Sequence, residues 1–235
     1  LNRYLQVDET TRGALFASYA FDASIFEIFM TLLVGGTVCV LGDEERLDGF
    51  AAACSRMNVN FSLLTPTFLR TLLPADVPTL KKLCTGGEAI DEDLIKVWKN
   101  SLQLYNCYGP TETSIIATMY PYSEGEYNIR TIGRPTSGPA WIVRPDDHTQ
   151  LVPLGVAGEL VVGGSLARGY LNDSVKTNAA FVDSSGTTLS MTTSSRTGRI
   201  YKTGDLCQMS RTGEINYLGR IDTQVKVSAS LSPIV

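Results

Sequence analysis

The chain has 235 residues, 43% hydrophobic and 19% charged, with 20 Lys and Arg against 24 Asp and Glu for a net charge of −4. That composition is globular rather than disordered, and the length suffices to bury a core. A pI near 5.1 and the lack of any Lys/Arg run argue against a dedicated nucleic-acid binder.

The 5 cysteines are widely spaced with no Cys-x-x-Cys pair, and the single His148 stands alone in the polar stretch "RPDDHTQ", read as a solvated turn. Zinc and disulfide frameworks are therefore poor readings, and reduced thiols in a cytoplasmic protein are expected. No apolar stretch is long enough to span a bilayer, and "LNRYLQVDETTRG" lacks a signal-peptide pattern, so no membrane partner is expected. The first residue, Leu1, reads as the start of a piece of something longer.

In chain order, "ALFASYAF" reads as a strand and "SIFEIFMTLL" as a helix, entered through a Ser24–Glu27 capping box. "GTVCVLG" is a strand, "LDGFAAACSRMN" a helix, "VNFSLL" a strand, and a Pro-initiated helix follows near "PTFLRTLL". "LKKLCT" is a strand, "DEDLIKVWKN" a helix capped by Asp91, and "LQLYNCY" and "SIIATMY" are strands. Strands alternating with helices predict an α/β unit over 1–125, a mostly parallel sheet flanked by helices. Over 126–222 Gly and Pro become frequent, and "AWIVR", "GELVVGG", "RIYKTGD" and "GEINYLGR" read as antiparallel strands of a smaller distorted β-barrel subdomain. A short helix is expected at "DSVKTNAAF", a Ser/Thr-rich surface loop at 184–199, and a hairpin turn at "SRTGE".

Polar insertions interrupt this frame. "FDAS" (21–24), "TGGEA" (85–89) and "GPTET" (109–113) each follow a strand, so on one parallel sheet they open at the same edge, where ligands collect. Each has a plain turn or cap explanation when taken alone. In the β half, Asp205 in "YKTGDL", and Arg220 and Asp222 in "YLGRIDTQVK", place charges where a turn needs none.

Taken in order, "FDAS", "YNCYGPTET", "GELVVGGSLARGYL", "YKTGDL" and "GRIDTQVKV" resemble the adenylation domains of nonribosomal peptide synthetases, within the acyl-adenylate-forming superfamily. The resemblance implies an ATP-dependent ligase that forms an aminoacyl-AMP and passes it to the phosphopantetheine thiol of a peptidyl carrier domain beside other synthetase domains. It implies that Thr111 binds the α-phosphate and that Glu112 holds Mg²⁺, a hard cation suited to oxygen ligands. Tyr108 and Tyr217 would flank adenine, with Asn106, Gly86 and Gly87 lining the base side. Asp205 would hold the ribose hydroxyls, Arg220 the ribose and phosphates, and Asp222 the hinge to a small C-terminal subdomain begun at 223–235.

Asp22 matches the aspartate that pairs with the substrate α-ammonium. Ala23, Phe26, Leu63, Cys84, Gly86, Cys107, Ile115 and Ile116 match side-chain pocket positions, and none is charged. The expected substrate is therefore an apolar amino acid, held by area burial. Two departures stand against full activity. No Gly/Ser/Thr/Lys-rich phosphate loop precedes "FDAS", and "SASLSPIV" after Val227 does not continue the family pattern that leads to a C-terminal Lys. The isolated chain is expected to activate its substrate poorly. The alternatives are an acyl- or aryl-CoA ligase of the same superfamily and a non-catalytic remnant that only binds nucleotide.

Overall fold

Parallel strands need a crossover between them, and the alternation of strand and helix patterns supplies one each time. The computed structural model describes residues 2–122, 126–185 and 198–221. It begins with α1 (Asn2–Leu5), β1 (Arg12–Leu15), α2 (Ala23–Leu32), β2 (Thr37–Val40), α3 (Asp43–Leu47) and α4 (Phe50–Met57). Then come β3 (Phe61–Leu64), α5 (Pro66–Leu69), β4 (Lys82–Gly86), α6 (Glu92–Lys99) and β5 (Gln103–Tyr108). The strands stand in the order β2-β1-β3-β4-β5 and every pairing is parallel, as the sequence predicts.

Local chemistry sets the helix starts. Pro66 sits in the first turn of α5 and the Thr65 side chain accepts from Phe68 N, while Asp91 caps α6 by accepting from Leu94 N. The capping box expected at α2 does not form. Asp22 is the N-cap without a side-chain cap bond, and Ser24 Oγ donates to Phe21 O. Glu27 turns inward instead, its Oε2 accepting from Phe16 N and Ala17 N at 3.0 Å each. These amides follow the end of β1 at Leu15, short of the longer strand expected there, and the Glu27 carboxyl group replaces the strand partner they lack.

The second half comprises β6 (Thr118–Tyr122), β7 (Thr131–Pro135), β8 (Ala140–Arg144), β9 (Asp147–Leu151), β10 (Gly158–Gly163), α7 (Ser174–Ala180), β11 (Phe181–Asp183), β12 (Arg199–Met209) and β13 (Ile215–Arg220). Its pairings are antiparallel and continue the sheet as β5-β6-β7-β13-β12-β10-β8-β9, with β11 on β12. Among the described residues the ladders run as an open path, so the expected barrel takes the form of a β-rich extension of the sheet through β6 and β7. His148 lies on the edge strand β9 rather than in a turn, because the chain reverses earlier, between β8 and β9. The "SRTGE" turn forms as expected, with Ser210 N donating to Glu214 O at 2.8 Å. Of the Ser/Thr-rich segment, 186–197 lie outside the described residues, as do Asp222 and 223–235.

Both faces of the parallel sheet are buried, and alternate residues go to opposite cores. Leu83 and Leu104 pack with Phe50, Ile95 and Trp98 on one face; Cys84 and Tyr105 pack with Phe26 and Phe61 on the other. The β half has its own core around Ile142, Leu160, Val162 and Ile215. Among the described residues no helix is long and apolar enough to cross a membrane.

Candidate active site

A cleft of about 690 Å³ opens at the carboxyl ends of β4 and β5 and is closed on its far side by β13. Gly87, Asn106, Cys107, Tyr108, Tyr217 and Arg220 line it, six positions that the sequence singled out. Gly86 is needed by close approach: a Cβ there would stand 2.4 Å from Cys107 O. Gly87 has φ +82°, a left-handed backbone that glycine adopts without strain. Asn106 donates from Nδ2 to Thr131 O at 2.8 Å, so its amide braces β5 against β7.

Behind the cleft wall lies Asp205, 2% exposed. Its Oδ2 accepts from Tyr108 OH at 2.5 Å and its Oδ1 from Arg220 Nη1 at 3.2 Å. Arg220 Nη1 also donates to Thr203 O at 2.7 Å, which fixes the guanidinium as a preset positive fork at the cleft. Burial, and then the Asp205 charge, push the Tyr108 phenol well above the ordinary tyrosine range, so it stays a hydrogen-bond donor.

Thr111 and Glu112 lie in a single 3₁₀ turn, Thr111–Thr113, just after β5. Thr111 is exposed and Glu112 half-buried. Glu112 Oε1 accepts from Tyr170 OH at 2.7 Å, and Glu112 O accepts from Ala167 N at 2.9 Å. Neither Thr111 nor Glu112 lines the cleft itself.

The pocket candidates Phe26, Leu63, Cys84, Cys107, Ile115 and Ile116 fall in one apolar cluster. Cys107 belongs both to this cluster and to the cleft lining, so the two regions meet at β5. Ala23 is the first residue of α2, and Asp22 just before it has Oδ2 buried without a hydrogen-bond partner. Burial, reinforced by neighbouring Cys107, holds the Cys84 thiol well above its usual range, which makes it a wall rather than a nucleophile.

Several contributors escaped the sequence reading. Tyr105 and Met119 join the apolar cluster, Arg70 and Arg130 line the cleft, and Tyr170 holds Glu112. Glu159, 4% exposed, accepts from Gly204 N at 3.1 Å and so braces the "TGD" segment. The motif "GELVVGG" contained Glu159 as a charge inside an apolar strand, the one available signal for it.

Residues 1–171 match the family described as AMP-binding enzyme. The chain belongs to the AMP-binding enzyme family. Within it, the match is to nonribosomal peptide synthetases and their adenylation domains, in sequence and in fold. The chain is 43% identical over 224 residues to nonribosomal peptide synthetase 8 of Aspergillus fumigatus, covering 94% of this chain and 3% of that protein. It superposes with a TM-score of 0.81 and 29% identity on PA1221, an NRPS protein containing adenylation and PCP domains, covering 96% of this chain and 46% of that one. A Vibrio cholerae adenylation domain, AlmE, in complex with glycyl-adenosine-5'-phosphate, matches at TM-score 0.78 and 27% identity over 95% of this chain and 43% of that one. The chain thus spans less than half of these solved chains and a few per cent of the large synthetase.

Proposed function

We propose that this chain is part of an amino-acid-activating adenylation domain that joins an apolar amino acid to AMP and passes the aminoacyl group to a carrier-domain phosphopantetheine thiol. The observation that carries the reading is Asp22, whose Oδ2 is buried with no partner at the start of the helix that sends Phe26 into the apolar cluster. A buried carboxylate oxygen left unpaired is costly, and a substrate α-ammonium would satisfy it. An acyl or aryl acid offers no such group. The uncharged cluster around Cys84 and Cys107 would hold an apolar side chain by burial, and the small Ala23 would leave room beside it.

Adenine would lie in the cleft between the faces of Tyr108 and Tyr217, against Asn106, Gly86 and Gly87. The ribose hydroxyls would compete with Tyr108 and Arg220 for the Asp205 carboxylate. Thr111 would donate to the α-phosphate, and Arg220 would stabilise charge there. Among the described residues no three His, Cys, Asp or Glu side chains cluster as a metal cage. Glu112, a half-buried carboxylate, still fits Mg²⁺, which commonly takes one or two protein carboxylates and completes its shell with phosphate and water. When bound there, Mg²⁺ would neutralise polyphosphate charge. Asp222 would serve as the hinge residue.

The amino-acid carboxylate attacks the α-phosphorus of ATP and pyrophosphate leaves. The carrier thiol then attacks the carbonyl of the mixed anhydride, gives up its proton, and AMP leaves. Positioning and charge stabilisation suffice, without covalent chemistry from a side chain. A PCP domain accompanies the adenylation domain in PA1221, and a glycyl-adenylate occupies AlmE, which supports the carrier partner and the aminoacyl-adenylate. The cysteines, all free and buried, accord with a cytoplasmic setting.

The test is calorimetric binding of aminoacyl-sulfamoyl-adenosines across a panel of side chains, repeated with Asp22→Ala. An apolar member should bind most tightly and lose at least tenfold in the variant. Preference for a charged side chain, or no effect of Asp22→Ala, would overturn the reading.

A further inference from the structure

Glu112 is gripped more firmly than a simple surface carboxylate. Tyr170 donates to its Oε1 at 2.7 Å, and the Tyr201 hydroxyl lies beside both Tyr170 and Glu112. Phe181 packs against both phenols, with ring centroids 5.8 Å from Tyr170 and 5.0 Å from Tyr201. The Lys176 ammonium stands 4.1 Å from the centre of the Tyr170 ring. Arg199 lies 4.4 Å over Phe181 and donates to Ala167 O and Arg168 O at 3.0 and 2.9 Å. Two further bonds tie the same segments together at and just after Glu112, from Ala167 N to Glu112 O and from Ser114 Oγ to Ser165 O.

We infer that Tyr170, backed by Tyr201, is a positioning residue that presets the Glu112 carboxylate to receive a divalent cation. The inference rests on the reading of Glu112 as the Mg²⁺ ligand. The choice of donor carries the argument. A Lys or Arg partner would cancel the carboxylate charge, whereas a neutral phenol fixes its rotamer and leaves the charge for the metal. The phenols are themselves immobilised by the Phe181 ring and by the Arg199 clamp. The structural alternative is that Tyr170 only glues the 165–170 loop to the 111–114 turn. That role would show in stability, not in metal affinity.

The two are separated by Mn²⁺ binding followed by electron paramagnetic resonance, with β,γ-methylene-ATP present. Tyr170→Phe keeps the ring and its contacts, and should weaken Mn²⁺ about 10-fold or more while metal-free AMP binding and the thermal midpoint hold. Tyr201→Phe, which leaves the Tyr170 bond in place, should give a smaller loss in the same direction. Mn²⁺ affinity unchanged in both variants, with Glu112→Gln losing it, would overturn the inference and leave Glu112 as ligand. Mn²⁺ bound equally by wild type and Glu112→Gln, or not at all by wild type, would overturn the reading of Glu112 and the inference with it.

Discussion

The Tyr108 phenol, at the end of β5, donates to Asp205 Oδ2 in β12 across 97 residues of sequence. This bond joins the last parallel strand to the β half directly behind the cleft. Tyr108→Phe removes the donor and leaves a buried carboxylate oxygen unpaired, which costs about 1–3 kcal/mol. Urea unfolding should show that loss. Saturating AMP should then stabilise the variant more than it stabilises wild type, because ribose hydroxyls can take the vacated oxygen. Equal stabilisation of both proteins would remove Asp205 from the ribose site.

Glu27 makes stability depend on pH. Burial outweighs its bonds to Ala17 N and Phe16 N and raises its carboxyl from 4.5 to about 8. The folded state therefore keeps a proton that the unfolded chain releases, so stability falls as pH rises from about 4.5 to about 8. The shift corresponds to a loss on the order of 3–5 kcal/mol across that window. Glu27→Gln cannot ionise. The difference in thermal midpoint, wild type minus variant, should decline steadily between pH 5 and pH 8, in about the window the two carboxyl values set. A constant difference would show that Glu27 does not hold its proton.

The parallel sheet and its helices were legible because each element carried its own local signal: the period of "DLIKVWK", the Pro66 start of α5, the Asp91 cap. The motif residues at the strand ends were legible too, and six of them do share one cleft. What escaped depends on tertiary context. Ser24 and Glu27 have capping-box spacing, but spacing cannot reveal that unpaired amides at Phe16 and Ala17 lie close enough to claim Glu27. Tyr170 is separated from Glu112 by 58 residues, and no local pattern couples a phenol in one loop to a carboxylate in another. The course of the second half was hidden likewise, since whether antiparallel strands close into a barrel depends on edge pairing by β6 and β7 rather than on alternation.

The cysteines should be inert in the native chain. All five are free and buried, and burial, with Cys39 nearby, pushes the Cys54 thiol up to about 12. At pH 8 its thiolate fraction is roughly a thousandfold below that of a thiol titrating at its ordinary value. Ellman's reagent at pH 8 should therefore label the native protein at least a hundredfold more slowly than the urea-unfolded chain. Fast labelling of Cys84 in the native state would mean that the apolar cluster opens.

Gly109 sets the course of the loop that carries Thr111 and Glu112. A Cβ at this position would stand 2.1 Å from Ile115 O and 2.8 Å from Ala117 N, both backbone atoms. The loop has little room to yield, because Ser114 and Ile115 already adopt φ of +61° and +78°, and left-handed backbone is strained for a β-branched side chain. Gly109→Ala should therefore cost about 2–3 kcal/mol in urea unfolding. It should also weaken binding of an aminoacyl-sulfamoyl-adenosine at least tenfold by displacing Thr111 and Glu112. Gly213→Ala supplies the control. Its φ is +82° but nothing lies within 4 Å of the added Cβ, so it should cost only about 1 kcal/mol and leave binding untouched. Destabilisation by Gly109→Ala without loss of affinity would mean that the 109–117 loop shapes the fold and takes no part in holding the nucleotide.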